Sequence, residues 1–171
     1  MTNTQIKDLM SEHKPFTPQS TMRKCKFTLK FLGEGSYREV YHIVGTNWVI
    51  KFPLTEWDPA EFSPLVNWLL KHRIHSRNEI DTYLEIKEKK KFKVLRKYLP
   101  KILWWEWHTG IIIQEICKEL EENGSNASIS NDLDILFKRY FKGNTDIAVN
   151  NVGRDLKGRL KVTDMGLIGE E

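Results

Sequence analysis

Apolar and polar residues alternate with a period of two from residue 26 to residue 52, the pattern of strands with one buried face. Glycine-containing stretches at residues 33–35 and 45–47 interrupt this alternation, and each suits a tight turn. Three antiparallel strands are therefore predicted, at about residues 26–33, 38–44 and 47–52.

Two further strand pairs are predicted later in the chain. In "KILWWEWHTGIIIQEIC", residues 101–117, two apolar runs flank His-Thr-Gly, and the second run begins with three β-branched isoleucines. The stretch "DIAVNNVGRDLKGRLKVTDMG" predicts a strand, a turn at residues 154–158 and a return strand.

A helix is predicted over residues 74–92, after a helical apolar patch, and Pro100 is expected to stop it. Its apolar face is carried by Ile80, Tyr83 and Leu84. The basic run at residues 87–97 has no regular interleaving of aromatic residues, so it favours a solvated helix face over a nucleic-acid surface.

A second helix is predicted over residues 130–141, with Ser130 or Asn131 as its N-cap. Residues 118–131 are loop-like and divide a sheet-rich front of the chain from a shorter back. Residues 1–24 are polar and interrupted by prolines, which predicts a tail or a short, loosely docked helix.

Composition places the chain among soluble globular proteins, since 40% of its 171 residues are hydrophobic and 29% are charged. The net charge of +4 comes from intermixed acidic and basic residues, so neither nucleic acid nor a membrane is the expected partner. Cys25 and Cys117 lie 92 positions apart and lack a zinc-type spacing, which indicates free thiols. The chain begins with no apolar secretory segment, and the cytoplasm is therefore the expected compartment.

The first hairpin carries candidate binding chemistry. Gly33, Gly35 and Ser36 occupy its tip in "LGEGSYREVY", and a glycine-rich hairpin lets backbone N–H groups approach phosphate oxygens. Val40 on the outgoing strand could lie against a flat base. Taken alone, the two glycines are more often an ordinary hairpin turn.

Lys51 lies mid-strand between apolar residues in "WVIKF". Lysine in an alternating strand usually faces solvent, but one that points inward needs an anion, either a phosphate or a carboxylate. Glu79 of the following helix is the first candidate for that carboxylate, and Glu85 is the alternative. Either glutamate could instead lie on the helix surface.

Three polar residues near the end of the chain complete the candidate set. Asp146 is followed five residues later by Asn151, and Asp164 comes 13 positions after Asn151. That separation allows a short two-stranded ribbon to return Asp164 beside Asn151.

These elements occur in an order that resembles the protein-kinase-like superfamily. "GEGSYREV" is similar to G-x-G-x-x-G-x-V, and "VIKF" to the V-A-I-K strand. "DIAVNN" keeps the Asp and Asn of H-R-D-L-x-x-x-N, and "VTDMG" resembles D-F-G. The resemblance implies an α+β fold: an antiparallel N-lobe sheet with one long helix, a hinge and a much reduced C-lobe. It places the N-lobe at residues 25–117 and the reduced C-lobe at 118–171.

The resemblance also implies roles for the candidate residues. Lys51 would hold ATP phosphates and be steadied by Glu79, and Asp146 would accept or orient the acceptor proton. The Mg²⁺ ligands would be Asn151 and Asp164, and the backbone positions facing adenine would be Glu115 and Cys117.

Several departures from the family pattern leave two functions open. The third glycine is Arg38, the family's lysine after the catalytic Asp is Ala148, and the family's later C-lobe segments do not follow Asp164. The first hypothesis is a minimal bacterial- or phage-type kinase that phosphorylates protein Ser/Thr hydroxyls, including its own. The second is a pseudokinase that binds nucleotide or regulates a partner protein. The acceptor could also be held by a second copy, as a homodimer.

Overall fold

The computed structural model describes residues 1–13, 28–54, 65–107, 109–121, 123–141, 145 and 147–165; for residues 9, 11–13 and 65–73 it describes the backbone alone. These residues form two compact units. The first comprises Met1–Ser76 and Ile102–Glu115, and the second comprises Arg77–Lys101 and Ile116–Glu171. The domain boundaries predicted after residues 24 and 117 stay a prediction.

The first unit is built on a five-stranded antiparallel sheet. Its strands are β1 (Leu29–Glu34), β2 (Arg38–Ile43), β3 (Trp48–Pro53), β4 (Ile102–Glu106) and β5 (Ile111–Glu115). Their spatial order is β1-β2-β3-β5-β4. The three predicted strands and the predicted hairpin at residues 101–117 are thus confirmed.

One face of this sheet forms the hydrophobic core of the first unit. The core joins apolar strand residues to two residues of helix α1 (Asn3–His13), namely Ile6 and Met10, both with no exposed surface. The buried strand residues are Leu29, Ile43, Ile50, Phe52, Ile111 and Ile113. Because these two helix residues are four positions apart, they lie on one face of α1 and pack together.

Helix α1 begins with a capping box that the sequence displays as Thr2-x-x-Gln5. The Gln5 backbone N–H donates to Thr2 Oγ1 at 3.2 Å, and the Thr2 backbone N–H donates to Gln5 Oε1 at 2.8 Å. The Trp48 indole N–H also donates to Asn3 Oδ1 at 2.8 Å, which ties the helix to β3. Residues 3–13 are therefore a helix packed into the core rather than a tail or a loosely docked helix, and residues 14–24 of that prediction lie outside the described residues.

Helix α2 (Leu65–Glu88) is the long helix of the fold, and it ends earlier than predicted. Two short 3₁₀ turns, Lys90–Phe92 and Leu95–Tyr98, follow it, so the expected helix face at residues 87–97 is wrong beyond Glu88. The physical cause lies in Arg96, whose guanidinium donates to the carbonyls of Ile86 and Lys89 at 3.1 and 3.2 Å. These bonds satisfy carbonyls left open at the helix end.

The second unit contains a three-stranded antiparallel sheet in the order β6-β7-β8. The strands are β6 (Lys118–Glu119), β7 (Val152–Arg154) and β8 (Leu160–Val162). Beside them, the buried rings of Phe92 and Phe141 stack with centroids 4.8 Å apart, and Phe137 lies 6.4 Å from Phe141. Phe92 and Phe137 are fully buried, so this aromatic stack forms part of the core.

Helix α3 (Gly124–Lys138) begins well before the predicted N-cap at Ser130 or Asn131. Asn123 is the N-cap instead, and its Oδ1 accepts the Asn126 backbone N–H at 3.0 Å. The hydroxyl of Ser130 donates to the Ala127 carbonyl inside the helix. The expected loop at residues 118–131 is therefore wrong at Lys118–Glu119, which form β6, and at residues 124–131, which are helical because a strong local cap outweighs the low apolar content of that stretch.

Among the residues that the structure describes, no helix is both long enough and apolar enough to cross a bilayer.

Gly110 marks a close approach of helix α2 to the sheet, and it generates a test of the fold. Gly110 has φ +70°, and a Cβ there would lie 3.0 Å from Pro53 Cγ and 3.2 Å from Ser76 Cβ. We expect Gly110→Ala to lower the free energy of unfolding by about 2–4 kcal/mol, since backbone strain adds to overpacking.

The matched control is Gly45→Ala, because Gly45 has a similar φ of +78° but no heavy atom within 4 Å of an added Cβ. This variant should cost about 1 kcal/mol, from backbone strain alone. Urea unfolding midpoints of the two variants measure the difference. Equal losses would show that α2 does not approach the sheet at Gly110.

Candidate functional site

The β1–β2 hairpin presents its glycines to open space. The Gly35 backbone N–H donates to the Arg38 carbonyl at 2.9 Å and closes the turn. A Cβ added at Gly33 would meet nothing within 4 Å, and one added at Gly35 would meet only the Arg38 oxygen at 4.0 Å. No neighbouring atom therefore excludes a side chain at either of these two positions. Gly35 and Ser36 are exposed, so an outside group can approach the backbone closely.

Lys51 and Val40 lie on the same face of the sheet, because they are cross-strand partners in the β2–β3 pair. The Lys51 side chain is buried, with 4% of its surface exposed, and Val40 is half-buried. A buried ammonium group is costly unless an anion compensates it. The strand thus holds Lys51 inward, the less common of the two orientations weighed from the sequence.

Arg38, which the sequence resemblance aligns with the family's third loop glycine, is also buried, at 4% exposure. Its Cα partner on β3 is Pro53, and Arg38 lies two residues before Val40 on the same strand. Since side chains alternate along a strand, Arg38, Val40 and Lys51 share one sheet face. No sequence pattern indicated this burial, because arginine beside a glycine-rich turn is usually exposed.

Tyr37 and His75 fix the tip of the hairpin to helix α2. Their rings stack with centroids 4.4 Å apart and an interplanar angle of 20°. The Leu54 backbone N–H also donates to the Tyr37 carbonyl at 2.9 Å. Neither contact was predicted, since no sequence pattern joins an aromatic residue in a turn to a histidine 38 positions later.

Glu79 and Glu85 differ in their surroundings. Glu79 has no exposed surface, whereas the Glu85 carboxylate accepts from Lys89 Nζ at 2.7 Å as an i, i+4 ion pair on the outside of α2. Burial of an ionisable group requires compensation, so Glu79 is the carboxylate with a structural need for a cation. Glu79 belongs to the second unit and Lys51 to the first, and their pairing stays a prediction.

Glu115 and Cys117 lie where the chain passes from the first unit to the second. Glu115 ends β5, and Cys117 immediately precedes β6; both are half-buried. Cys117 forms no disulfide with any described residue. A Cβ on Gly153 would lie 3.0 Å from Cys117 Cβ and 2.9 Å from the Lys118 carbonyl oxygen, so glycine lets β7 approach this segment.

The β7–β8 ribbon brings Asn151 and Asp164 to the same end. Val152 and Val162 are Cα partners, and the Thr163 backbone N–H donates to the Asn151 carbonyl at 2.8 Å. Asp164 follows Thr163 directly, and both Asn151 and Asp164 are half-buried. The 13-residue spacing thus forms the two-stranded return that the sequence predicted.

These two side chains offer one amide oxygen and one carboxylate, the hard oxygen ligands that Mg²⁺ prefers. Among the described residues, no group of three or more His, Cys, Asp or Glu could hold a metal ion. A magnesium ion shared between Asn151, Asp164, water and nucleotide phosphates needs no such group. The residues present therefore fit Mg²⁺ bound together with a phosphate ligand.

Asp155 holds the turn of this ribbon. Its Oδ1 accepts the backbone N–H groups of Lys157 and Arg159 at 2.9 and 3.0 Å, and Oδ2 accepts Arg159 Nε at 2.7 Å. Gly158 completes the turn with φ +76°. Burial alone would raise the pKa of Asp155, but the bonds from Arg159 and Lys157 outweigh it and lower that pKa to about 2.

Lys161 on β8 is buried and connects the ribbon to the turns after α2. Its Nζ donates to the Leu99 carbonyl at 2.8 Å and to the Lys97 carbonyl at 3.1 Å. It also lies 3.9 Å from Asp155 Oδ2. The ribbon is therefore fixed to its own unit by charged hydrogen bonds.

Asp146, the predicted catalytic residue, lies outside the described residues. Its neighbours Thr145 and Ile147 are described, and both are buried, at 7% and 4% exposure. The residues that the structure describes thus bring the predicted site together in two groups. The hairpin residues and Lys51 belong to the first unit, and Asn151 with Asp164 belongs to the second.

Comparison with solved structures identifies the fold. A crystal structure of WbdD matches 85% of this chain with a TM-score of 0.55 and 14% identity. WbdD with the kinase inhibitor LY294002 matches 81% with a TM-score of 0.50 and 18% identity. The Rio2 kinase–ADP/Mg²⁺–phosphoaspartate complex from Chaetomium thermophilum gives 0.48 over 88% of the chain at 13% identity.

The chain spans about a third of the WbdD chains, 34% and 32% of their lengths, and 51% of the Rio2 chain. Searches with protein-family models and against curated proteins give no match. The structural likeness confirms the predicted fold class, an α+β protein-kinase-like fold with an antiparallel N-lobe sheet.

The Asp155 turn generates a prediction about acid stability. The pKa of Asp155 is about 2 in the folded chain and about 3.9 in an unfolded chain. Because the folded pKa is the lower one, Asp155 stabilises the fold above pH 4. That contribution should be lost as the pH falls from about 4 to 2.

In Asp155→Asn, the melting temperature at pH 7 should fall, and the further drop between pH 4 and 2 should be smaller than in the unchanged protein. Asp81→Asn replaces an exposed helix carboxylate and serves as the control. Thermal melts by circular dichroism at several pH values give both quantities. An unchanged acid profile in Asp155→Asn would contradict the assignment.

Proposed function

We propose that this chain is an ATP- and Mg²⁺-dependent phosphotransferase that transfers the γ-phosphate to a hydroxyl acceptor. The observation that carries the proposal is the β7–β8 ribbon, in which the Thr163–Asn151 hydrogen bond sets Asp164 beside Asn151. An amide and a carboxylate at one end of a ribbon, in a kinase-like fold, suit a nucleotide-bound magnesium ion.

The hairpin unit supplies the phosphate-binding groups. The backbone around Gly33, Gly35 and Ser36 leaves space for an approaching phosphate, and Lys51 provides a cation one strand away, beside Val40. The low exposure of Lys51 favours a strong interaction, because charges attract more strongly in a low-dielectric environment. We propose that Glu79 steadies Lys51, and that Val40 and the backbone at Glu115 and Cys117 contact adenine.

The second unit supplies the metal ligands and the proton acceptor. Asn151 and Asp164 would hold Mg²⁺, which when bound neutralises phosphate charge. Asp146 would accept or orient the proton of the attacking hydroxyl, in the role of a general base. Phosphoryl transfer requires mainly positioning and charge stabilisation, and these three side chains, together with Lys51 and Glu79, are the groups that it needs.

The acceptor class that we propose is a protein Ser or Thr hydroxyl, including one of the chain's own. A hydroxyl is compatible with a carboxylate base such as Asp146. The chain's own hydroxyls give the first test, because autophosphorylation requires no second protein.

A pseudokinase is the second candidate, and the burial of Arg38 favours it. A buried arginine at the glycine position places a positive charge on the sheet face that carries Lys51. Ala148 also lacks the cation that the family places near the transferred phosphate. In this alternative the fold binds nucleotide or a partner protein and regulates that partner without transfer.

Transfer can be measured directly with γ-labelled ATP and Mg²⁺. We expect the unchanged protein, or an added protein substrate, to be labelled. Lys51→Met and Asp164→Asn should each reduce the rate of labelling about 100-fold or more, because each removes charge stabilisation. Asp146→Ala should abolish labelling. Lys30→Met, which removes an exposed lysine from β1, is the matched control and should label normally.

Equal labelling in Asp146→Ala and the unchanged protein would contradict the catalytic assignment. No labelling of any protein, combined with ATP binding, would favour the pseudokinase instead.

Nucleotide binding has its own test by thermal shift. ATP at a hundred times its dissociation constant should stabilise the protein by about 2.7 kcal/mol. Asp164→Asn should lose the part of this shift that depends on Mg²⁺, and Lys51→Met should lose most of the rest. Lys30→Met should keep both parts. An absent shift with ATP, with and without Mg²⁺, would contradict both nucleotide-dependent functions.

A further inference from the structure

Asp134 lies on α3 and is mostly buried, with 17% of its side chain exposed. Its Oδ1 accepts a hydrogen bond at 2.5 Å from the hydroxyl of Thr145, which lies eleven positions later in the sequence. Its Oδ2 pairs with Lys138 Nζ one helical turn away, at 2.5 Å. The carboxylate therefore joins the helix to a distant segment through one oxygen and to its own helix through the other.

The segment beyond Thr145 also contacts this carboxylate, because the backbone N–H of Ile147 donates to it. Burial by itself would raise the pKa of Asp134, but hydrogen bonds from Lys138, Thr145 and Ile147 outweigh burial and lower the pKa. The carboxylate is then ionised at neutral pH and acts only as an acceptor, which suits three donors around two oxygens.

Thr145 and Ile147 are the residues on either side of Asp146. Both are buried, at 7% and 4% exposure, so both neighbours of position 146 are packed within the second unit. Helix α3 also packs against the 3₁₀ turn Val149–Asn151, which ends at a proposed magnesium ligand. One helix thus supports both the flanks of the proposed base and the segment that leads to Asn151.

We propose that Asp134 is a positioning residue for phosphoryl transfer, and that it orients the segment carrying Asp146 through its hydrogen bonds to Thr145 and Ile147. This inference rests on the proposed function. It assigns a task to Thr145, which stands in the pair that replaces the His-Arg of the family pattern.

The position of the general base determines the rate of transfer. A general base must lie within hydrogen-bond reach of the acceptor hydroxyl, and a displacement of about 1 Å can cost about 100-fold in rate. An ionised acceptor that binds both neighbours restricts this displacement more strongly than a neutral one, because charge-assisted hydrogen bonds are about twice as strong. Asparagine at position 134 keeps the shape but loses the charge and one acceptor oxygen.

The test compares variants by steady-state transfer with Mg²⁺-ATP. Asp134→Asn and Thr145→Val should lower kcat about 10- to 100-fold and leave the KM for ATP within about twofold, because nucleotide binding does not use these residues. Thr145→Ser keeps the hydroxyl and should restore kcat to within about threefold. Asp132→Asn replaces an exposed carboxylate on the same helix and should behave as the unchanged protein.

A second readout does not depend on transfer. Amide hydrogen exchange at Ile147 should become at least tenfold faster in Asp134→Asn, because its N–H loses a charged acceptor. Circular dichroism melts identify any variant that fails to fold, and Thr145→Val then carries the test in place of Asp134→Asn.

The outcomes separate the two proposals. A normal kcat in both Asp134→Asn and Thr145→Val, with transfer intact in the unchanged protein, overturns the positioning role and leaves the proposed function standing. An equal loss in Asp132→Asn also overturns that role. Absence of transfer in the unchanged protein overturns the proposed function and, with it, a catalytic purpose for Asp134.

Discussion

The carboxylate of Asp155 is the constraint on which the candidate metal site depends. By accepting two backbone N–H groups and the Arg159 guanidinium, it fixes the turn and hence the register of β7 against β8. A slip of one residue in a ribbon moves every side chain to the opposite face. The position of Asp164 relative to Asn151 therefore follows from a charged turn at the other end of the ribbon.

Both units bury charged side chains. In the second, Asp155, Lys161 and Asp134 have hydrogen-bond partners within the unit, and these bonds connect segments distant in sequence. In the first, Lys51 and Arg38 are held at 4% exposure on a sheet face opposite the apolar core. Two basic side chains buried on one sheet face are a specific feature of this unit, because burying a charged group is costly unless it is compensated.

Much of the fold could be predicted from the sequence, because local patterns control strands and turns. Alternation located β1, β2 and β3, and the spacing from Asn151 to Asp164 anticipated the ribbon. Helix boundaries were less predictable. The start of α3 depends on the Asn123 cap, and the end of α2 depends on Arg96, which reaches back ten residues to Ile86. A cap formed by a side chain so far along the chain leaves no periodic signal.

The sequence by itself determined which residue types are available, Lys51, Asn151 and Asp164 among them, and the strand pattern that carries Lys51. Only the tertiary structure decided that Lys51 and Arg38 face inward, that Tyr37 stacks on His75, and that Asp134 binds Thr145. The physical reason is that an alternating pattern defines the two faces of a strand but does not determine which face other elements bury. Burial and long-range hydrogen bonds depend on neighbours that only folding brings together.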